Sequence, residues 1–278
     1  MKTRSRSIAA AITPVFEKKV ALDITEPLAQ AAYDITDDKP LLLPTGYRLV
    51  GPIKIDKAHI VAMMAAAPLS QQRLMRTVLS EGDTGGLVAR HDESKTLAVS
   101  FRGTRTPEEW LKDFDFVHAN YSFLQGWGKV HKGFQLVYKA MRSSVADLVD
   151  ASGADITSAW VIGHSLGGAV AALCAPDFGL NMTKVVPQLH TYAAPRSGNG
   201  DFEKKFDKLV GTCFRIVNRW DIVWHLPTPI TGYRHVGQEV EIDGGITIDL
   251  RKAHSLEESY RPGLEKLVTR KALIGIAA

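Results

Sequence analysis

Ser165 stands between Gly163 and Gly167 in WVIGHSLGGA, residues 160–169, directly after an apolar run. A serine hydroxyl is a weak nucleophile unless its surroundings sharpen it. The pattern Gly-x-Ser-x-Gly supplies such surroundings where a strand turns sharply into a helix. Side chains at the glycine positions would clash across the bend, and the serine is presented at the tip, beside the first free amides of the helix. Read this way, Ser165 attacks a carbonyl carbon. The rest of the chain must then supply a base, a carboxylate and a second donor for the oxyanion.

The carboxylate is expected at the end of a later strand, and TCFRIVNRWD, residues 212–221, has a strand pattern that ends in Asp221. Nine histidines compete for the role of base. His254 opens HSLEESYRPGLEKLV just after the strand-like GITIDL, which puts it at a strand-to-helix turn on the same rim. His235 lies inside the strand-like YRHVGQ, His225 follows Asp221 by only four residues, and His164 sits inside the elbow. His254 is therefore the expected base, with His235 and His225 as alternatives. It would take the Ser165 proton during attack and return it to the leaving alcohol. Asp221 would fix the imidazole tautomer and stabilise the charge that develops on the ring. Activity is expected to rise with pH as His254 loses its proton, between about pH 5 and pH 8.

The oxyanion needs fixed donors. One is the amide of Leu166, immediately after the nucleophile, and the second is expected from SFRGTRTPEEW, where Gly103 and Thr104 follow a strand. Losing one such donor typically raises the barrier by about 2.7–4 kcal/mol.

The elements around these residues alternate between strand and helix. EPLAQAAYDI (26–35) has helical spacing, and residues 56–82 form a second helical block split by Pro68, with Met63, Met64, Leu74, Met75 and Leu79 expected to pack on a core. GGLVARH and TLAVSFRG, joined by the polar DESK, read as a hairpin. HKGFQLVYKAMRSSVADLVDA (131–151) is a long amphipathic helix with Phe134, Val137, Met141, Val145 and Leu148 on one face. SAWVIGH is a buried strand, SLGGAVAALCA a small-residue helix, KVVPQLHTYAAP another strand and NGDFEKKFDKL another helix. This succession predicts one α/β domain with a mostly parallel sheet covered on both faces.

Six ordered motifs and an early one carry a family resemblance. FRGT (101–104) with Trp110 and Asp113, VHKGF, GHSLGGA, YAAPRSGN, VNRWDIVWHLP and HSLEESY, preceded by AQAAYD, resemble the class 3, fungal-type triacylglycerol lipases over about Glu26 to Tyr260. The resemblance implies the α/β-hydrolase fold, a triad of Ser165, Asp221 and His254, and an oxyanion hole from Thr104 and Leu166. It also implies that Asp113 supports the oxyanion loop and that about 105–124 forms a lid. Trp110, Leu111 and Phe114 would share one face of that lid, with Glu108, Glu109 and Lys112 toward water. Trp224 stands where the family usually has a proline. The substrate implied is an ester or lipid met transiently at a lipid–water interface. A phospholipase A1, a short-chain carboxylesterase and a non-catalytic lipid-binding module are the alternatives.

Composition bounds the rest. The chain has 278 residues, 45% hydrophobic, enough for a sizeable core, and its net charge of +4 is too small and too dispersed for nucleic acid. Cys174 and Cys213 lie far apart in apolar segments and read as buried free thiols. No metal-ligand spacing or cofactor motif is evident. At the start, the apolar run of MKTRSRSIAAAITP stops at Thr13 and Pro14, short of the ~7–15 residues of a signal core. Residues 1–25 are therefore expected to form an arm before a single domain, 26–278. The expected location is cytoplasmic, or secreted without a cleaved signal. No stretch approaches the ~20 apolar residues that span a bilayer.

Overall fold

The computed structural model describes residues 14–37, 39–65, 67–106 and 116–268. In chain order the early strands are β1 (Tyr47–Lys54), β2 (Thr84–His91), β3 (Thr96–Phe101), β4 (His118–Asn120) and β5 (Lys129–His131). They are followed by β6 (Ser158–His164), β7 (Gln188–Tyr192), β8 (Gly198–Asn199), β9 (Cys213–Asn218), β10 (Tyr233–Arg234) and β11 (Gln238–Ile242). The main sheet has seven strands in the order β1-β2-β3-β6-β7-β9-β11. The expected hairpin is the antiparallel pair β2/β3, and every pairing from β3 through β11 is parallel. This is the α/β-hydrolase arrangement. It carries the loops after β3, β6 and β9 to one rim, because parallel strands end on the same side.

The helices that matter for that rim are α1 (Glu26–Asp34), α2 (Lys57–Met64), α3 (Leu69–Ser80), α4 (Lys132–Ala151) and α5 (Leu166–Asp177). α6 (Gly200–Leu209), α7 (Leu250–His254) and α8 (Arg261–Lys266) follow. Alternate residues of β6 point to opposite faces, so Val161 joins a core with Phe134, Val137, Met141 and Val145 of α4. Ile162 joins a second core with Leu28, Ala29 and Ala31 of α1. Both faces are thus covered, as a parallel sheet requires. Every residue of α5 is buried, and its glycines and alanines let the helix lie close on the sheet. Leu74 and Met75 enter the α4 core, with Met63 and Met64 packed against it. Cys174 and Cys213 are buried and free. No helix among the described residues is long and apolar enough to cross a membrane.

Three elements differ from expectation. The folded chain starts before residue 26: helical turns at Lys18–Val20 and Ala21–Thr25 run directly into α1, and Ala21 and Thr25 are buried. Strand β1 escapes sequence reading because Gly51 and Pro52 argue against a strand. At the sheet edge the missing proline N–H costs no ladder bond, and the register shifts between Leu49 and Gly51. GITIDL is not a strand. The strand is QEVEI, which ends at Ile242, just before the Gly244–Gly245 pair. Ile246 and Ile248 then face solvent, and Asp249 caps α7 by accepting from the amides of Arg251 and Lys252.

His190 of β7 is enclosed by Trp160, Phe16 and Phe214, with Thr25 Oγ1 2.9 Å from its Nδ1. Burial pushes its pKa down from 6.5 to about 3. The folded state keeps this ring neutral while the unfolded chain takes up a proton below 6.5, so acidification favours unfolding from pH 6.5 downward toward 3. The slope from one such group approaches about 1.4 kcal/mol per pH unit. Urea denaturation of wild type and His190→Asn over that range should show the variant less stable at neutral pH but with a shallower acid loss. Parallel curves would contradict this.

Candidate active site

At the end of β6 the chain reverses into α5 through Ser165, whose φ of 57° and ψ of −129° lie in the left-handed half of backbone space. Such a conformation costs a non-glycine residue about 1–3 kcal/mol and persists only where its surroundings hold it. Here the Ser165 amide donates to the Tyr192 carbonyl at 2.9 Å, and its own carbonyl accepts from Gly168 at 2.9 Å. The flanking glycines are required by contact. A Cβ on Gly163 would strike the Gly167 carbonyl, and one on Gly167 would strike the carbonyls of Phe101 and Arg102. The N-terminus of α5 is therefore pressed against the end of β3.

That closeness places the next loop. A Cβ on Gly103 would lie 2.7 Å from Ser165 Cβ and 2.9 Å from the His164 carbonyl, so the Gly103–Thr104 backbone passes directly over the elbow. Thr104 is buried. Tyr33 and Glu81 hold the loop. The Gly103 amide donates to the Tyr33 hydroxyl at 2.9 Å. Arg102 forms a buried ion pair with Glu81 at 2.6 Å, and the second Glu81 oxygen accepts from the Arg105 amide at 2.8 Å. Leu166, the first residue of α5, is buried on the opposite side of Ser165 in sequence, where helix amides lack partners within the helix.

Asp221 and His254 meet. His254 Nδ1 lies 2.7 Å from Asp221 Oδ2, with both side chains almost wholly buried. The same oxygen accepts from the Tyr260 hydroxyl at 2.8 Å, and Asp221 Oδ1 accepts from the Val223 amide at 2.9 Å. Tyr260 is raised well above the usual phenol range, first by burial and then by the Asp221 charge, so it stays a donor. Asn218 ties the two segments together: its side-chain Nδ2 donates to the Ala253 carbonyl at 2.8 Å, and its backbone carbonyl accepts from Trp224 Nε1 at 2.9 Å. The tryptophan thus braces the loop that carries Asp221. His225 stacks on Trp224, and His235 lies beyond it, so neither occupies the Asp221 carboxylate.

Ser165 Oγ and His254 Nε2 are each buried without a hydrogen-bond partner among the described residues, so they are not joined directly in this structure. His164 precedes Ser165 in sequence and packs beside His254 in space. Its ring centre is 4.7 Å from that of His254, and its Nε2 is 2.8 Å from the His254 carbonyl oxygen. Burial first, and then the neighbouring His254, hold its pKa well below 6.5. A cavity of about 280 Å³ opens beside this group, lined by Tyr33, Thr104, His164, His254 and the charged Arg105 and Arg251 among others. Arg105 is ion-paired with Asp37.

The structure brings Ser165, Leu166, Thr104, Gly163, Gly167, Asp221 and His254 to one rim. Trp110, Leu111, Asp113 and Phe114, with the rest of residues 107–115 of the expected lid, lie outside the described residues. Sequence reading missed Glu81, Asn218 and Tyr260 as supports. Among the described residues no cluster of three or more His, Cys, Asp or Glu is placed to hold a metal ion.

Residues 98–231 match the family described as Lipase (class 3). The chain is 37% identical over 164 residues to a lipase of Rhizomucor miehei, covering 56% of this chain and 44% of that protein. It is 35% identical over 175 residues to phospholipase A1-II 4 of rice, Oryza sativa subsp. japonica, covering 54% and 44%. Among solved structures, lipase II from Rhizopus niveus superposes with a TM-score of 0.55 at 26% identity, over 70% of this chain and 84% of that one. The chain spans less than half the length of the two curated relatives.

Proposed function

We propose that the chain, whose residues 98–231 match the class 3 lipases, is a member of that family and hydrolyses the carboxylic esters of acylglycerols through an acyl-enzyme on Ser165. The observation that carries the reading is the 2.7 Å contact between His254 Nδ1 and Asp221 on the rim where the Ser165 turn stands. A carboxylate on Nδ1 fixes the proton there and leaves Nε2 bare, the form a general base needs.

Ser165 Oγ adds to the ester carbonyl carbon while His254 Nε2 takes its proton. The negative charge moves to the carbonyl oxygen, where the Leu166 amide and Thr104 donate to it. Collapse breaks the bond to the alcohol oxygen, which takes the proton back from His254. Water, deprotonated by the same nitrogen, then releases the fatty acid and restores the serine. The separation of Ser165 Oγ and His254 Nε2 in this structure fits a contact that tightens when substrate binds. Trp220 and Ile222 flank Asp221 with exposed apolar surface, which supports transient contact with a lipid surface.

A phospholipase A1 is the second reading, favoured by the similarity to the rice protein. A substrate panel separates the two: emulsified triacylglycerol, mono- and diacylglycerol, phosphatidylcholine vesicles and p-nitrophenyl esters, each below and above its solubility. The proposal expects acylglycerol turnover to exceed phospholipid turnover by at least about tenfold, roughly 1.4 kcal/mol in barrier. Preferential sn-1 release from phosphatidylcholine would move the assignment to the phospholipase.

A further inference from the structure

Tyr33 and His164 perform no step of the acyl transfer written above, yet both are held in a single hydrogen-bonded chain at its centre. The Tyr33 hydroxyl is 2.9 Å from the Gly103 amide nitrogen and 2.7 Å from His164 Nδ1. His164 Nε2 is 2.8 Å from the His254 carbonyl oxygen. The direction of each bond follows from the atoms. A carbonyl oxygen only accepts, so His164 Nε2 carries the proton. The ring is neutral, so Nδ1 is bare and accepts from the Tyr33 hydroxyl. The Tyr33 oxygen in turn accepts from Gly103.

Four separate pieces of the fold are joined by these bonds: the loop after β3, helix α1, the elbow and the backbone of the expected base. Acyl transfer requires donors, nucleophile and base to keep their separations within about 0.5 Å, and a misplacement of about 1 Å can cost about a hundredfold in rate. Among the described residues no backbone ladder connects Gly103 to His254, whereas the Tyr33–His164 pair reaches both while standing next to Ser165. We propose that Tyr33 and His164 are positioning residues that set the Gly103–Thr104 loop and the His254 backbone at fixed distances from Ser165. This rests on the assignment of Ser165 as nucleophile.

The polarity of the chain supplies the test. Tyr33→Phe removes one oxygen and His164→Leu removes both ring contacts, whereas His164→Gln can still accept from Tyr33 and donate to His254. Active sites are first counted with a fluorophosphonate probe, and kcat and KM for p-nitrophenyl butyrate are then measured per labelled site. Tyr33→Phe and His164→Leu should lower kcat by about ten- to a hundredfold with KM held within about twofold, and His164→Gln should recover most of the loss. Histidine ring ¹H–¹⁵N spectra of the wild-type protein should show His164 as the neutral Nε2–H tautomer. Wild-type kcat in Tyr33→Phe, or an Nδ1–H tautomer at His164, would overturn the proposal even if His164→Leu failed to fold. If the probe did not label the wild-type protein, the assignment of Ser165 would fall first and this role with it.

Discussion

Replacing Ser165 with alanine is expected to cut p-nitrophenyl butyrate turnover by at least about 10⁴-fold, to the residual level left by binding and the oxyanion donors. The size follows from what is removed. Among the described residues no other hydroxyl is presented by a strand-to-helix turn on this rim, and the covalent route disappears with Oγ. Folding should survive. Alanine replaces a side chain whose oxygen has no hydrogen-bond partner among the described residues, and the Ser165 backbone bonds to Tyr192 and Gly168 are untouched. A stopped assay with circular dichroism and a thermal melt on the same sample checks both halves. Turnover within tenfold of wild type by a folded variant would remove Ser165 from the reaction.

Asp221→Asn should produce a loss of about the same order, ~10⁴ in kcat, for a different reason. Asp221 Oδ2 receives both His254 Nδ1 and the Tyr260 hydroxyl, while Oδ1 receives the Val223 amide. An asparagine that keeps its oxygen toward Val223 turns its NH₂ toward the ring. Nδ1 must then accept, and the proton moves to Nε2, where it blocks the base. The imidazolium formed during attack also loses its charge partner. Assays of kcat across pH, with ring spectra of His254, check the claim. A variant with near wild-type kcat and an Nδ1–H ring would show that Asp221 only braces the loop.

The nucleophile was legible because its requirement is local: two glycines within two residues of Ser165 announce a turn that other residues cannot make. Asp221 was legible because it closely follows a strand-like run, Cys213–Asn218. The position of His254 was reached on partly wrong grounds. The run GITIDL that directed attention to it is a loop with Ile246 and Ile248 exposed that leads into α7, and the strand that feeds the rim is Gln238–Ile242. Two exposed isoleucines imitated a strand pattern, whereas the paired strand alternates charged and apolar residues. Strand β1 was hidden by a proline that only an edge position tolerates. The supports were the least legible. The partners Tyr33 and His164 are 131 residues apart, and Tyr260 and Asp221 are 39 apart. A bond between side chains that distant leaves no periodicity or spacing to read. Glu81 shows the same limit from the other side: a carboxylate near a helix end looks like a solvated surface residue until Arg102 is found buried against it.

One measurement bears most directly on the covalent role of Ser165. The protein is mixed with a fluorophosphonate, or briefly with excess p-nitrophenyl ester and quenched in acid, and the adduct is located by peptide mass spectrometry. The mechanism predicts one adduct per chain, on the peptide containing Ser165, formed at a rate that falls sharply in Asp221→Asn. Ester turnover by the wild-type protein with no adduct on Ser165, or with the adduct on another residue, would contradict it.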